Sequence, residues 1–138
     1  MKIREIRERY TILSDLAAKK LPIKLAYAVS RNLELLQAEV TRSEEKRIEL
    51  CKEYANVDQD GNPQMVDSVV DGQQVSGFQI DPERAEDFVA QLNELFDLDV
   101  AVSPMTVDSA VLDQLESDRY DPLTPAQIGG IGWMIDEG

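Results

Sequence analysis

The sequence contains no histidine and a single cysteine, Cys51. Without histidine it lacks the commonest general base, the usual nitrogen ligand for zinc, every histidine-dependent triad and the ordinary switch near neutral pH. One cysteine cannot close an intrachain disulfide or build a cysteine-based zinc site. Tryptophan occurs once, at Trp133, and is expected to anchor a core or an interface. No apolar run approaches the roughly 18 residues that a membrane-spanning helix needs. Residues Met1 to Arg9 are charged throughout, without the apolar stretch of a secretory signal. These absences lead to the expectation of a cytoplasmic, non-secreted protein with no catalytic residues, no cofactor and no bound metal.

What is present amounts to one domain's worth of chain: 138 residues, 43% of them hydrophobic. The net charge of −13 is unevenly spread. Residues 1–54 hold 12 basic and 9 acidic side chains, whereas residues 55–138 hold 2 basic and 18 acidic ones. So acidic a second half repels nucleic acid and is complementary to a basic protein surface. Solubility alone is the competing explanation for such a surface.

The first half reads as two helices. Ile3, Ile6, Tyr10, Leu13 and Ala17 recur at alternating intervals of three and four, with Leu16 and Leu21 beside them. Pro22 interrupts this stripe and suits the first turn of a second helix. That helix is expected over 23–54, with Ala26, Val29, Leu33, Leu36 and Val40 facing the first in an antiparallel hairpin. It should outrun its partner by roughly 20 Å at about 1.5 Å per residue. The overhang, from Thr41 to Tyr54, needs cover for Ile48, Leu50, Cys51 and Tyr54. The C-terminal half is expected to fold back onto it, and a homodimer is the second arrangement that would hide it. Cys51 is expected to be buried filler.

After a turn-rich stretch at 56–64, two β-prone runs flank Asp71-Gly72, the pattern of a tight β-hairpin over about 64–80. Asp81-Pro82-Glu83 is an N-cap, a first-turn proline and an acidic first turn. The helix they open carries Ala85, Phe88, Val89, Leu92, Leu95 and Phe96. The alternation of Leu98 to Ser103 suggests a third strand ending at Pro104. Short helices should follow, one near Val111 to Leu115 and a last one from Thr124-Pro125 to Ile135, weakened by Gly129, Gly130 and Gly132. The expected fold is therefore α+β and mainly α. It comprises a helical hairpin over 1–54 and an acidic portion over 55–138, with a small β-hairpin and short helices, packed as one structural domain.

Few motifs carry chemistry. Asn56 to Asp67 matches the ligand spacing of a calcium-binding EF-hand loop at positions 1, 3, 5, 9 and 12, with glycine at 6. Its first ligand is an amide, its last is the short Asp67, and Pro63 disturbs the pairing segment. An ordinary turn is expected instead. Carboxylate pairs such as Asp97 with Asp99 have no companion nucleophile, and Gly129-Gly130-Ile131-Gly132 lacks the lysine of a P-loop.

The stretch Lys20-Leu21-Pro22-Ile23-Lys24, continuing to Leu33, resembles the junction motif of an uncharacterised family of small proteins from tailed phages and prophages of Gram-positive bacteria. The block Glu44 to Tyr54, the turn Asp58 to Asn62 and the order of the C-terminal segments are similar too. The glycine run at 129–132 departs from the family's more regular last helix. The resemblance implies a phage protein acting in the bacterial host cytoplasm. That family defines no catalytic residues, so none are carried over.

On this reading the protein is a non-enzymatic phage interaction protein. It would bind and inhibit a basic, nucleic-acid-binding host or defence protein in the manner of an anti-CRISPR protein. The expected contact residues are Asp81, Glu83, Glu86, Asp87, Glu94, Asp97 and Asp99. A basic cluster of Lys19, Lys20 and Lys24 offers a secondary contact. No nucleic acid or membrane is expected to bind directly. The alternative is a virion structural or assembly component that oligomerises through its helical hairpin.

Overall fold

The structure, a computed structural model, describes residues 1–70 and 72–136. The fold is α+β and mainly α, with two long N-terminal helices packed together and short β elements after them. Contacts divide the residues into two units, one of 1–41 with 99–138 and one of 42–98. The sequence boundary at residue 54 follows charge and periodicity instead.

In the first unit, α1 (Ile3–Leu16) packs on the N-terminal part of α2 (Ile23–Tyr54). The buried face of α1 is Ile3, Ile6, Leu13 and Leu16; Ala17 is exposed and Tyr10 half-buried. On α2 the fully buried residues are Leu25, Ala28, Val29, Asn32 and Leu36. Val29 and Leu36 of the expected stripe are fully buried and Ala26, Leu33 and Val40 pack at its margin, so the seam is broader than expected and extends toward Leu25, Ala28 and Asn32. Leu33 is only half-buried and the polar Asn32 lies inside.

The core is completed by residues from the far end of the chain. Val107 and Val111, from β3 (Val107–Asp108) and α4 (Ala110–Gln114), join it with Ile131 and Met134. The last helix, α5 (Pro125–Gly130), is opened by Thr124 in a capping box with Gln127. It stops five residues short of the expected Ile135. A 3₁₀ turn over Gly132–Met134 follows, and β4 (Ile135–Asp136) pairs in parallel with β3. An α5 prolonged to Ile135 would lose that pairing. Trp133 is half-buried, with its indole N–H donated to the Gly130 carbonyl at 2.8 Å.

No strand forms over 98–103. Asp99 makes an isolated bridge with Lys2, and Met1 and Val100 exchange hydrogen bonds of 3.0 and 2.9 Å. The partner segment ends where α1 begins, so the ladder cannot extend.

In the second unit, residues 42–54 of α2 are followed by a hairpin of β1 (Met65–Val70) and β2 (Gln73–Phe78). Met65 pairs with Phe78 and Val70 with Gln73. Asp71 lies outside the described residues; Gly72 has φ of +78°, a conformation glycine adopts without a Cβ clash. Ala55 bridges Ile80 antiparallel, and a 3₁₀ turn over Pro82–Arg84 leads into α3 (Ala85–Phe96). Within this unit, chain from beyond residue 54 lies against the end of α2. Tyr54 is buried with its ring 5.8 Å from that of Phe88, and Cys51 is buried.

Candidate functional site

The acidic candidates fall on α3, its flanks and the chain beyond. Asp81 caps the turn that starts the helix, its carboxylate accepting from the Glu83 N–H at 3.0 Å. Asp87 is exposed, but its carboxylate accepts a short hydrogen bond from the Tyr54 hydroxyl. That contact, with partial burial, holds the Tyr54 phenol above its ordinary pKa. Arg84 lies over the Tyr54 ring, 4.4 Å from its centre. Asp81 and Asp87 thus serve the unit's own structure.

Glu83, Glu86 and Glu94 are exposed, as the amphipathic pattern predicts, and Asp97 just past the helix is exposed too. Asp99 is exposed as well, but it belongs to the first unit, 3.5 Å from the N-terminal amine of Met1. Those seven carboxylates therefore do not form one continuous group within a single unit.

Within the second unit, α2 and α3 border a groove of about 410 Å³. Leu50, Leu95 and Leu98 supply its apolar lining, and Glu49, Glu53 and Glu94 its carboxylates. Lys46 also lines it and pairs with Glu49 at 3.1 Å. Glu94 was expected from the sequence only as a solvent-facing carboxylate, and the groove itself, with Glu49, Glu53 and Leu98, was not foreseen. The 3,4 spacing of Lys46, Glu49 or Leu50, and Glu53 is the signal that set them on one side of α2.

The basic cluster at the helical turn is partly occupied. Lys19 donates its ammonium to the Pro122 carbonyl at 2.9 Å, and the Lys20 backbone N–H meets the Asp121 carboxylate at 2.7 Å. Lys24 is exposed and borders a cavity of about 450 Å³ with Ile23, Tyr27 and Met105 to Asp108. Ile23 is 80% exposed and Tyr27 56%, so an apolar patch sits there that the sequence reading had not placed on the surface.

The loop with EF-hand spacing is a closed turn. Asp58 Oδ1 accepts from the N–H groups of Asp60 and Asn62 at 2.9 and 3.0 Å, and Val57 bridges Pro63. The Asp58 carboxylate thus caps its own loop in an Asx turn. Among the described residues no group of three or more histidine, cysteine or carboxylate side chains is placed to hold a metal ion. No described helix is long and apolar enough to cross a membrane. Comparison with protein-family models, curated proteins and solved structures finds no match to this chain.

Proposed function

We propose that this chain is a non-enzymatic interaction protein that binds a basic protein surface through the acidic side chains of its second unit. The observation that carries the reading is the run of exposed carboxylates on α3 and the turn before it, where Glu83, Glu86 and Glu94 stand on a unit of net charge −9. A surface of one sign steers an oppositely charged partner and suppresses wrong ones. The sequence resemblance suggests a phage origin, with a nucleic-acid-binding host or defence protein as the inhibited partner in the bacterial cytoplasm.

The test is a double charge reversal, Glu83→Lys with Glu86→Lys. It leaves the Asp81 cap and the Asp87–Tyr54 hydrogen bond in place. Capture from bacterial lysate at low and high salt should yield a basic protein with the native chain and lose it with the folded variant. Equal capture by both at either salt concentration overturns the acidic-surface mechanism.

A second reading, a virion or assembly component, is favoured by one observation: the exposed Ile23 and Tyr27 beside Met105. An apolar patch on the helical hairpin suits self-association. Sedimentation across a concentration series distinguishes the two. A ring or larger assembly that Ile23→Asp dissolves supports the second reading, and a monomer at every concentration removes it.

A further inference from the structure

The helix α3 is amphipathic, yet none of its residues is fully buried. Phe88, Leu92, Leu95 and Phe96 are each half-covered, and Leu98 just beyond the helix is 53% exposed. A helix whose apolar side stays part-open normally has a further surface to meet. The groove between α3 and the last turns of α2 is where that apolar surface gathers.

Its two walls repeat one pattern. On the α2 wall Leu50 is flanked by Glu49 and Glu53, and on the α3 wall Leu95 is flanked by Glu94. Among the described residues lining the groove the cation is Lys46, paired with Glu49, and the carboxylates outnumber it three to one. From Lys46 to Glu53 the α2 wall runs about 10 Å at 1.5 Å per residue, the span from i to i+7 on a helix. An apolar floor between two helical walls, with like charge on both, matches helix-in-groove recognition.

We propose that this groove receives a basic amphipathic helix from the partner protein. Its apolar i, i+4, i+7 ridge lies on Leu50, Leu95 and Leu98, and its flanking lysines or arginines meet Glu53 and Glu94. This rests on the reading that the acidic unit binds a basic protein, and it names the shape of what is bound. The chain's own helix α1 is not the occupant from a second copy, because its arginines are matched by Glu5, Glu8 and Asp15 and its apolar face is buried under its own core.

The probe is a labelled synthetic helical peptide with leucines at i, i+4 and i+7 and lysines on both flanks. Its controls are a peptide of the same composition with the leucines scattered, and one with glutamates replacing the lysines. Fluorescence anisotropy should show the amphipathic basic peptide binding at least about tenfold more tightly than either control. Leu98→Glu is the deciding variant. It adds negative charge, so a purely electrostatic surface would bind the peptide more tightly, whereas loss of the apolar floor weakens binding by about tenfold. Glu53→Lys with Glu94→Lys, folded by circular dichroism, should weaken it as well.

Equal binding of the scattered-leucine peptide, or unchanged or tighter binding by Leu98→Glu, overturns the groove while leaving the acidic-surface reading standing. Loss of partner capture on Glu83→Lys with Glu86→Lys tests that reading separately. Absence of any binding by the amphipathic basic peptide also overturns the groove.

Discussion

Asn32 lies inside the first unit's core with its carboxamide held by the Met105 backbone and, at 3.6 Å, by the Met134 sulfur. Its Nδ2 donates to the Met105 carbonyl at 2.9 Å, and its Oδ1 accepts from the Met105 N–H at 2.7 Å. This pair fixes the chain just after Pro104 against α2, where no strand ladder could do so. Asn32→Ala removes both bonds and leaves Met105 without partners there. It should cost about 1–3 kcal/mol, read as a lower melting temperature. Leu33→Ala, half-buried beside it, should cost less than Asn32's fully buried neighbour Leu36→Ala. The sequence pointed to Leu33 because it is apolar. The set Leu25, Ala28, Asn32 and Leu36 is also helically spaced, at 3, 4 and 4, but contains a polar member, which its Met105 and Met134 contacts explain.

Tyr54 carries a pH dependence whose sign is fixed. The Asp87 carboxylate favours the protonated phenol, so its folded pKa stands above the unfolded value of about 10. The stabilisation is complete below about pH 10 and is lost as the pH rises through the folded pKa. Thermal melts of the native chain should therefore fall faster above that pH than those of Tyr54→Phe. Parallel curves would remove the Asp87 contact from the account.

Among the elements, α5 shows how local a helix's fate is. Its glycines differ by what lies opposite them. A Cβ on Gly130 would come within 2.6 Å of Ile12 Cδ1 and 3.2 Å of its Cγ2, whereas one on Gly129 would meet nothing within 4 Å. Gly129→Ala should thus raise stability by up to about 1 kcal/mol through helix propensity. Gly130→Ala should lower it, by about 1 kcal/mol or more, because Ile12 must move. Calorimetry on the pair reads the opposite signs, and shifts of one sign for both would place α1 and α5 further apart.

The elements also show what the sequence could disclose. The span of α2 was legible because no glycine or proline breaks it, and the hairpin because Asp71-Gly72 sits between β-prone runs. The start of α3 was legible through Asp81 and Pro82. The strand expected over 98–103 was not, since alternation says nothing about whether a partner strand is long enough. The groove was half legible: its α2 residues share a helical face, but their meeting with Leu95 and Leu98 depends on tertiary packing.

At the scale of the whole molecule, charge is the dominant asymmetry. A net charge of −13 within 138 residues opposes compaction by self-repulsion. Added sodium chloride screens charges beyond about 10 Å at 0.1 M, so the melting temperature should rise with salt. A charge-neutralising double variant, Glu83→Gln with Glu86→Gln, should shrink that rise. A salt-independent melting temperature would mean that the carboxylates lie too far apart to repel one another.

The division of contacts has a consequence for how the chain is born. Residues 42–98 form one uninterrupted stretch, while the first unit joins 1–41 to 99–138. A ribosome releasing the chain from its N-terminus therefore delivers the complete acidic unit first. Helix α1 and the start of α2 must wait for Val107, Val111, Ile131 and Met134 before their apolar seam can close. Throughout that interval the seam is a ready target for chaperones and for misassembly with other nascent chains. The order of completion is set by topology: the inserted segment is finished before the unit whose two stretches flank it in sequence.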